Sequence, residues 1–192
     1  MIMKRIDTEI PEVFVLEPRL FKDNRGYFAE TWNERILANL GIQTKFVQDN
    51  ESFSQYGVIR GLHFQKGDAS QAKLVRVLQG EVLDVAVDIR KGSHTFGQHV
   101  AVRLSSDNHQ QLYIPRGFAH GFAVLSDTAL FAYKCDNFYK PNADGGISAM
   151  DPALQIDWMI EEKDRIFSEK DLHALSWSEY CACPVFHMED FA

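Results

Sequence analysis

Short runs of strand-favouring residues, recurring at roughly ten-residue intervals and each ended by turn chemistry, leave this chain few folds to choose from. The runs are 13–16, 27–32, 45–48, 58–64, 74–78, 82–89, 99–104, 111–114, 121–125 and 129–135. Asp23-Asn24-Arg25-Gly26, Gln79-Gly80, Lys91-Gly92-Ser93 and Ser106-Asp107-Asn108 supply turns between them. Such spacing predicts an all-β antiparallel sandwich or barrel with a few short peripheral helices. One helix is expected over 33–40, where Asn33 can cap and Gly41 can stop it. A second is expected near Ser168, because Ser168-Glu169-Lys170-Asp171 has the form of a capping box. With no repeat, low-complexity stretch or linker, the 192 residues read as one domain, and residues from about 180 to 192 as a loosely held tail.

A formal net charge of −7 argues against a nucleic-acid binder, which needs a basic face. A small anionic ligand is still compatible, provided that basic residues gather in one pocket. No apolar run approaches the ~18 residues of a membrane helix. The opening MIMKRIDTEIPEV has no apolar segment of the secretory kind, so a cytoplasmic location is expected. The three cysteines have no zinc-finger spacing; Cys181 and Cys183, with His187 nearby, read as free thiols in the tail.

Two segments carry the chemistry. The first is GVIRGLHFQ (57–65), a glycine-loosened strand holding His63. Taken alone, His63 could be a core histidine, a metal ligand or a base. The second is QLYIPRGFAHGFAVLS (111–126), where Pro115 and Gly117 set a tight turn before His120. The pair resembles the two motifs of the cupin family, whose fold is a double-stranded β-helix, or jelly-roll barrel. In metal-binding cupins the first motif supplies His-x-His and then a Glu; here His63-Phe64-Gln65 stands instead, with Lys73 nearby. Two neutral imidazoles beside an ammonium make a poor divalent-metal site, so no metal is expected.

Without a metal, a histidine of near-neutral pKa can take a proton from a carbon beside a ketone, and a lysine can hold the resulting enolate. A tyrosine on the opposite face could return the proton and so invert the centre. Strand alternation in FAYKC places Phe131, Tyr133 and Cys135 on one face.

From residue 6 to about 175 the chain resembles the dTDP-4-dehydrorhamnose 3,5-epimerase family. The matching stretches are DNRGYFAE (23–30), FVQDN (46–50), GVIRGLHFQ, QAKLVRVLQGEVLDVAVDIR (71–90), TFGQ (95–98), QLYIPRGFAHGFAVLS, AYK (132–134) and SEKD (168–171). The resemblance implies that His63 is the base, that Asp171 orients it and that Lys73 stabilises the enolate oxygen. It implies His120 close to the sugar and Tyr133 as proton donor on the far face. Arg25, Glu30, Gln48, Asn50, Arg60 and Lys170 would line the nucleotide and diphosphate region, with Phe28 and Tyr139 as aromatic contacts. It further implies a nucleotide-sugar substrate, no cofactor and a homodimer whose subunits help build each other's sites.

The chain departs from the family pattern in three places. Asp144 stands where Glu is frequent, Ala149-Met150-Asp151 replaces Trp-Asn-Asp, and His99 stands where Trp is common. Simpler roles also compete for the same residues. Lys73 could be a strand-end lysine, Tyr133 a packing tyrosine, and Asp171 merely the third helical residue of its capping box. Asp84 and Asp88, alternating on one strand, are rival partners for His63 or His120. Among functions, a C3 mono-epimerase, a ketoisomerase, a non-catalytic sugar-nucleotide binder and a metal-dependent oxygenase compete with the double epimerase.

Overall fold

The computed structural model describes residues 2–191. The chain runs through β1 (Met3–Asp7), β2 (Phe14–Pro18), the hairpin of β3 (Leu20–Asp23) and β4 (Gly26–Ala29), and helix α1 (Glu34–Asn39). The barrel strands follow: β5 (Gln48–Gln55), β6 (Ile59–Gln65), β7 (Lys73–Gln79), β8 (Glu81–Asp88), the short β9 (Arg90–Lys91) and β10 (His99–Ser105). Next come β11 (Gln111–Ile114), β12 (Phe118–Val124), β13 (Thr128–Cys135) and β14 (Asp144–Gly146). Short helices α2 (Glu169–Leu172) and α3 (Trp177–Ala182) and strand β15 (Phe186–His187) complete the chain.

Two antiparallel sheets face each other, in the orders β1-β2-β11-β7-β13-β5 and β10-β8-β12-β6-β14. This is the expected jelly-roll barrel. Its interior is apolar because alternation aims Val75, Val77 and Phe131 from the first sheet at Val82, Ala86 and Phe122 from the second. The outer face of the five-stranded sheet is covered by the C-terminal third, where Trp158 and Tyr180 are fully buried. Both bring a polar tip inside and satisfy it: Trp158 donates to the Ala149 carbonyl at 2.7 Å and Tyr180 to the Ile89 carbonyl at 2.7 Å. Helix α1 seals part of the other outer face with Leu37. Asn33 caps it as expected, its Oδ1 accepting from the Arg35 and Ile36 amides. No described helix is long and apolar enough to cross a membrane.

Two expectations are corrected. The edge strand expected over 45–48 lies instead at β5, whose sequence QDNESFSQ lacks the apolar alternation that marks a strand. The tail from 180, expected to be loose, is packed: β15 pairs parallel with β9, and Phe186 is buried against Phe64. Strand β6 also departs from regular pairing. Strict alternation would put Arg60 on the face of Leu62 and Phe64, away from His63. The register instead pairs His63 with His120 and Arg60 with Phe122, so three steps along β6 match two along β12. Cross-strand partners share a face, and this bulge therefore turns both Arg60 and His63 inward.

Glycine makes the bulge possible. Gly61 has φ +130°, and a Cβ there would lie 2.6 Å from the Gly121 Cα. Gly61→Ala is therefore expected to destabilise the fold by more than about 1 kcal/mol. Urea denaturation checks this, and an unchanged midpoint would refute the constraint.

Candidate active site

At one end of the barrel the two inner faces part around a cavity of about 340 Å³. The six-stranded sheet contributes Gln48, Asn50, Lys73 and Tyr133, and the five-stranded sheet His63, Gln65 and Asp144. Tyr139 and Lys170 stand at the rim. Phe64, Gln65 and Gln71 also line the cavity but were not predicted as site residues. Gln65 was legible only as the replacement of a metal ligand. In the structure it accepts from the Lys140 amide at 2.9 Å and so fixes the rim loop.

His63 Nε2 lies 2.5 Å from Asp171 Oδ1. An ionised carboxylate only accepts, so Nε2 carries the hydrogen and Nδ1 keeps its lone pair. The two readings of Asp171 both hold, because its oxygens divide the work. Oδ1 serves His63, while Oδ2 accepts from Ser168 Oγ at 2.7 Å and the Asp171 amide donates back to Ser168 Oγ at 3.2 Å. Burial opposes ionisation of Asp171, but the hydrogen bonds from His63 and Ser168 outweigh it and hold the carboxyl below its ordinary range.

The rival carboxylates separate cleanly. Asp84 takes His120, whose Nε2 lies 3.0 and 3.1 Å from its two oxygens, and both residues are buried. Burial pushes the His120 imidazole below its ordinary pKa, against the attraction of Asp84. Asp88 is elsewhere, bound by Arg90, Ser93 and Thr95.

Lys73 is half-buried at the start of β7, with its Nζ 5.9 Å from the centre of the Tyr133 ring. Burial lowers its pKa. The neighbouring carboxylates are taken: Asp171 by His63, Asp84 by His120 and Asp144 by Lys170. Among the described residues none comes within ion-pair distance of Lys73, so its N–H donors are left for a ligand. Burial also raises the Tyr133 pKa, which keeps its phenol protonated. Cys135 stands beside Lys73 on the neighbouring strand, and burial pushes its thiol up to about 11.

The polar wall is tied together. Gln48 donates to Asn50 at 3.0 Å and accepts from the Tyr139 amide at 2.9 Å, and the Tyr139 hydroxyl donates to Asp144 at 3.5 Å. Arg60 is near Tyr133 but outside the cavity lining, held by Nε donation to Ser54 Oγ at 3.0 Å. It has no carboxylate partner among the described residues. Of the departures from the family pattern, only Asp144 touches the cavity. Asp151 caps the turn before Leu154 and accepts from the Trp177 amide at 2.7 Å.

Within one chain, the structure does not bring Arg25, Phe28 and Glu30 to this cavity. They lie on or beside the β3–β4 hairpin, whose strands pair only with each other. Arg25 is ion-paired with Asp23 at 2.5 Å, and Phe28 is exposed. One Glu30 oxygen, Oε1, is buried with no partner among the described residues.

A family model described as dTDP-4-dehydrorhamnose 3,5-epimerase matches residues 7–179. The chain is 53% identical over 170 residues to the dTDP-4-dehydrorhamnose 3,5-epimerase of Escherichia coli K12, covering 88% of this chain and 91% of that protein. It is 48% identical over 182 residues to the enzyme of that name from Methanothermobacter thermautotrophicus, covering 94% and 96%. Among solved structures it is similar to a dTDP-6-deoxy-D-glucose-3,5-epimerase from Legionella pneumophila in complex with dTDP-4-keto-L-rhamnose. There the TM-score is 0.91 at 49% identity, covering 96% of this chain and 98% of that one.

The depressed Asp171 pKa has a consequence for stability. A carboxyl held below its ordinary value, about 4, stabilises the fold fully above that value. The contribution fades as pH falls through the depressed pKa. Asp171→Asn should therefore melt below the parent protein at neutral pH, and the gap should narrow as pH falls below the ordinary carboxyl range of about 4. Thermal melts from neutral into acid pH check it; a gap independent of pH would contradict the stabilised carboxylate.

Proposed function

Because the chain belongs to the dTDP-4-dehydrorhamnose 3,5-epimerase family, we propose that it inverts C3 and C5 of dTDP-4-dehydro-6-deoxy-D-glucose. The product is dTDP-4-dehydro-L-rhamnose, a step of nucleotide-sugar biosynthesis. The observation that carries the residue roles is the placement of an acid–base pair on facing sheets. The His63–Asp171 couple stands on one side of the cavity, with Lys73 and Tyr133 on the other.

His63 Nδ1 takes the proton from the carbon beside the C4 ketone, and the electron pair of that C–H bond moves onto the ketone oxygen. Asp171 holds the imidazole in the required tautomer and stabilises the imidazolium that forms. Lys73 donates to the developing enolate oxygen; loss of such a donor typically costs about 10²–10³ in rate. Tyr133 then gives its phenolic proton to the opposite face of the carbon, and solvent reprotonates the phenolate. Lys170 at the rim, and Arg60 near Tyr133 but outside the lining, suit the diphosphate by their charge. No metal is assigned a part, since the Nε2 atoms of both His63 and His120 are engaged by carboxylates.

The reading includes a homodimer in which the β3–β4 hairpin of one copy carries Arg25, Phe28 and Glu30 to the cavity of the other. Exposed Phe21, Tyr27 and Phe28 on a hairpin with no sheet of its own to join support it. It also includes a cytoplasmic location, supported by three free cysteines.

Incubation with the 4-keto-6-deoxyglucose nucleotide in deuterated water tests the reaction. Deuterium should enter at both C3 and C5; incorporation at C3 alone would make the protein a mono-epimerase. His63→Ala should abolish exchange and inversion together. Tyr133→Phe should retain some exchange while inversion falls sharply, most at C5, and equal loss of exchange at both centres would contradict the division of roles. For the dimer, mixing Arg25→Ala with His63→Ala chains should restore turnover above either alone, because a hybrid holds one intact site. Failure of exchanged chains to do so would remove the hairpin from the site.

A further inference from the structure

Three glutamines line the cavity, and each holds one backbone group of the rim segment between β13 and β14. Gln71 Nε2 donates to the Asn137 carbonyl at 2.8 Å. Gln48 Oε1, on β5, accepts from the Tyr139 amide at 2.9 Å. Gln65 Oε1, on β6, accepts from the next amide, that of Lys140, also at 2.9 Å. Consecutive amides are thus taken by opposite sheets. Gln65 is itself buried and directs its Nε2 to Asp144, its cross-strand partner, at 3.4 Å.

Burial does not hold this segment in place. Phe138 is 62% and Tyr139 50% exposed, so their rings gain little from the apolar interior. Its ends are tied by backbone: the Asp136 amide donates to the Ala72 carbonyl at 3.2 Å, and the Ala143 carbonyl accepts from the Lys66 amide at 2.7 Å. Between those ties side-chain hydrogen bonds carry the placement, and a segment held in that way opens more readily than a packed one. Gln65 fastens its middle to the five-stranded sheet. The other link to that sheet, from the Tyr139 hydroxyl to Asp144, is long at 3.5 Å.

We propose that Gln65 is a positioning residue for substrate binding. By fixing the Lys140 amide to β6 it sets the Tyr139 ring, with the Asp144 carboxylate beside it, as one wall of the cavity mouth. Gln48 and Gln71 hold the same segment from β5 and from the loop before β7, so without Gln65 its middle is anchored on one side only. The effect is exerted through Tyr139, not on the reacting carbons. For the identity of the substrate this role rests on the epimerase reading above; the strut itself rests on the hydrogen bonds.

Native-state hydrogen exchange followed by NMR tests the strut without substrate. In Gln65→Leu the Lys140 amide should exchange about tenfold faster, as expected for one lost hydrogen bond, while the amides of β13 keep their rates. Gln65→Asn, a methylene short of Lys140, should behave alike and serves where Gln65→Leu does not fold. An unmoved Lys140 amide, an equal rise across β13, or failure of both variants to fold would overturn the role. Turnover tests the consequence. Gln65→Leu should raise KM about fivefold to tenfold with kcat within about twofold of the parent. In a Tyr139→Ala background it should raise KM no further. The same KM factor in both backgrounds, or a fall in kcat at unchanged KM, would overturn the action through Tyr139. If the parent chain turns over no 4-keto-6-deoxyglucose nucleotide, the epimerase reading falls and the exchange result still decides the strut.

Discussion

The approach of two glycine backbones, Gly61 on β6 and Gly121 on β12, decides what the barrel can do. A side chain at either position would strike the opposing backbone: a Cβ on Gly121 would sit 2.7 Å from the Arg60 carbonyl oxygen. With both positions bare, β6 accommodates one extra residue against β12. That residue shifts the face of everything before it. Arg60 joins His63 on the inner side while Ile59, Leu62 and Phe64 remain in the outer apolar cluster. An unbulged strand would have to bury Arg60 against the C-terminal third or surrender Ile59 to the cavity. A local break in regular pairing thus sets the face of Arg60 beside the site, within a sheet whose outer face is otherwise packed.

That packing also explains how a chain of net charge −7 can present basic groups to an anionic ligand. Its acidic groups inside are each committed. Asp171 is shared between His63 and Ser168, Asp84 faces His120, Asp144 meets Lys170, and Asp88 is clamped by Arg90. Lys73, with no carboxylate in contact among the described residues, lines the cavity, and Arg60, likewise unpaired, is near Tyr133. Local pairing, rather than the overall charge, sets the potential a ligand would meet there.

Much of this was readable in the sequence where chemistry is local. The turn signals located most barrel strands, and Asn33 and Ser168 placed both helix starts. The family-specific stretches named the cavity residues His63, Lys73 and Tyr133. What escaped was non-local. QDNESFSQ forms an edge strand because β13 offers it a partner, not because its own residues alternate. Phe186 docks because the outer face of β6 leaves a place beside Phe64, which nothing in the tail announces. Alternation put Asp84 and Asp88 on one face but could not assign either to a histidine; the register sets His120 opposite Ala86, between the two, and Asp88 is taken by Arg90, Ser93 and Thr95, which leaves Asp84 for His120. Arg25 and Phe28 matched the family pattern, yet a single chain leaves their hairpin apart from the cavity.

Inversion at carbon asks for something that a single element cannot provide: a base and an acid on opposite sides of a plane. A helix or strand presents reactive groups along one face, so both would approach from one side. Two facing sheets meet the demand directly, because their inner residues point toward each other across the barrel. His63 on β6 and Tyr133 on β13 belong to different sheets yet line one cavity. Lys73, a diagonal neighbour of Tyr133 across the β7–β13 pairing, lines the same cavity from the same sheet. An ammonium next to a phenol favours the phenolate left behind, so the proposed enolate donor also eases the proposed proton transfer. On this geometry the fold supplies the stereochemistry, and the titratable residues supply only the timing of the protons.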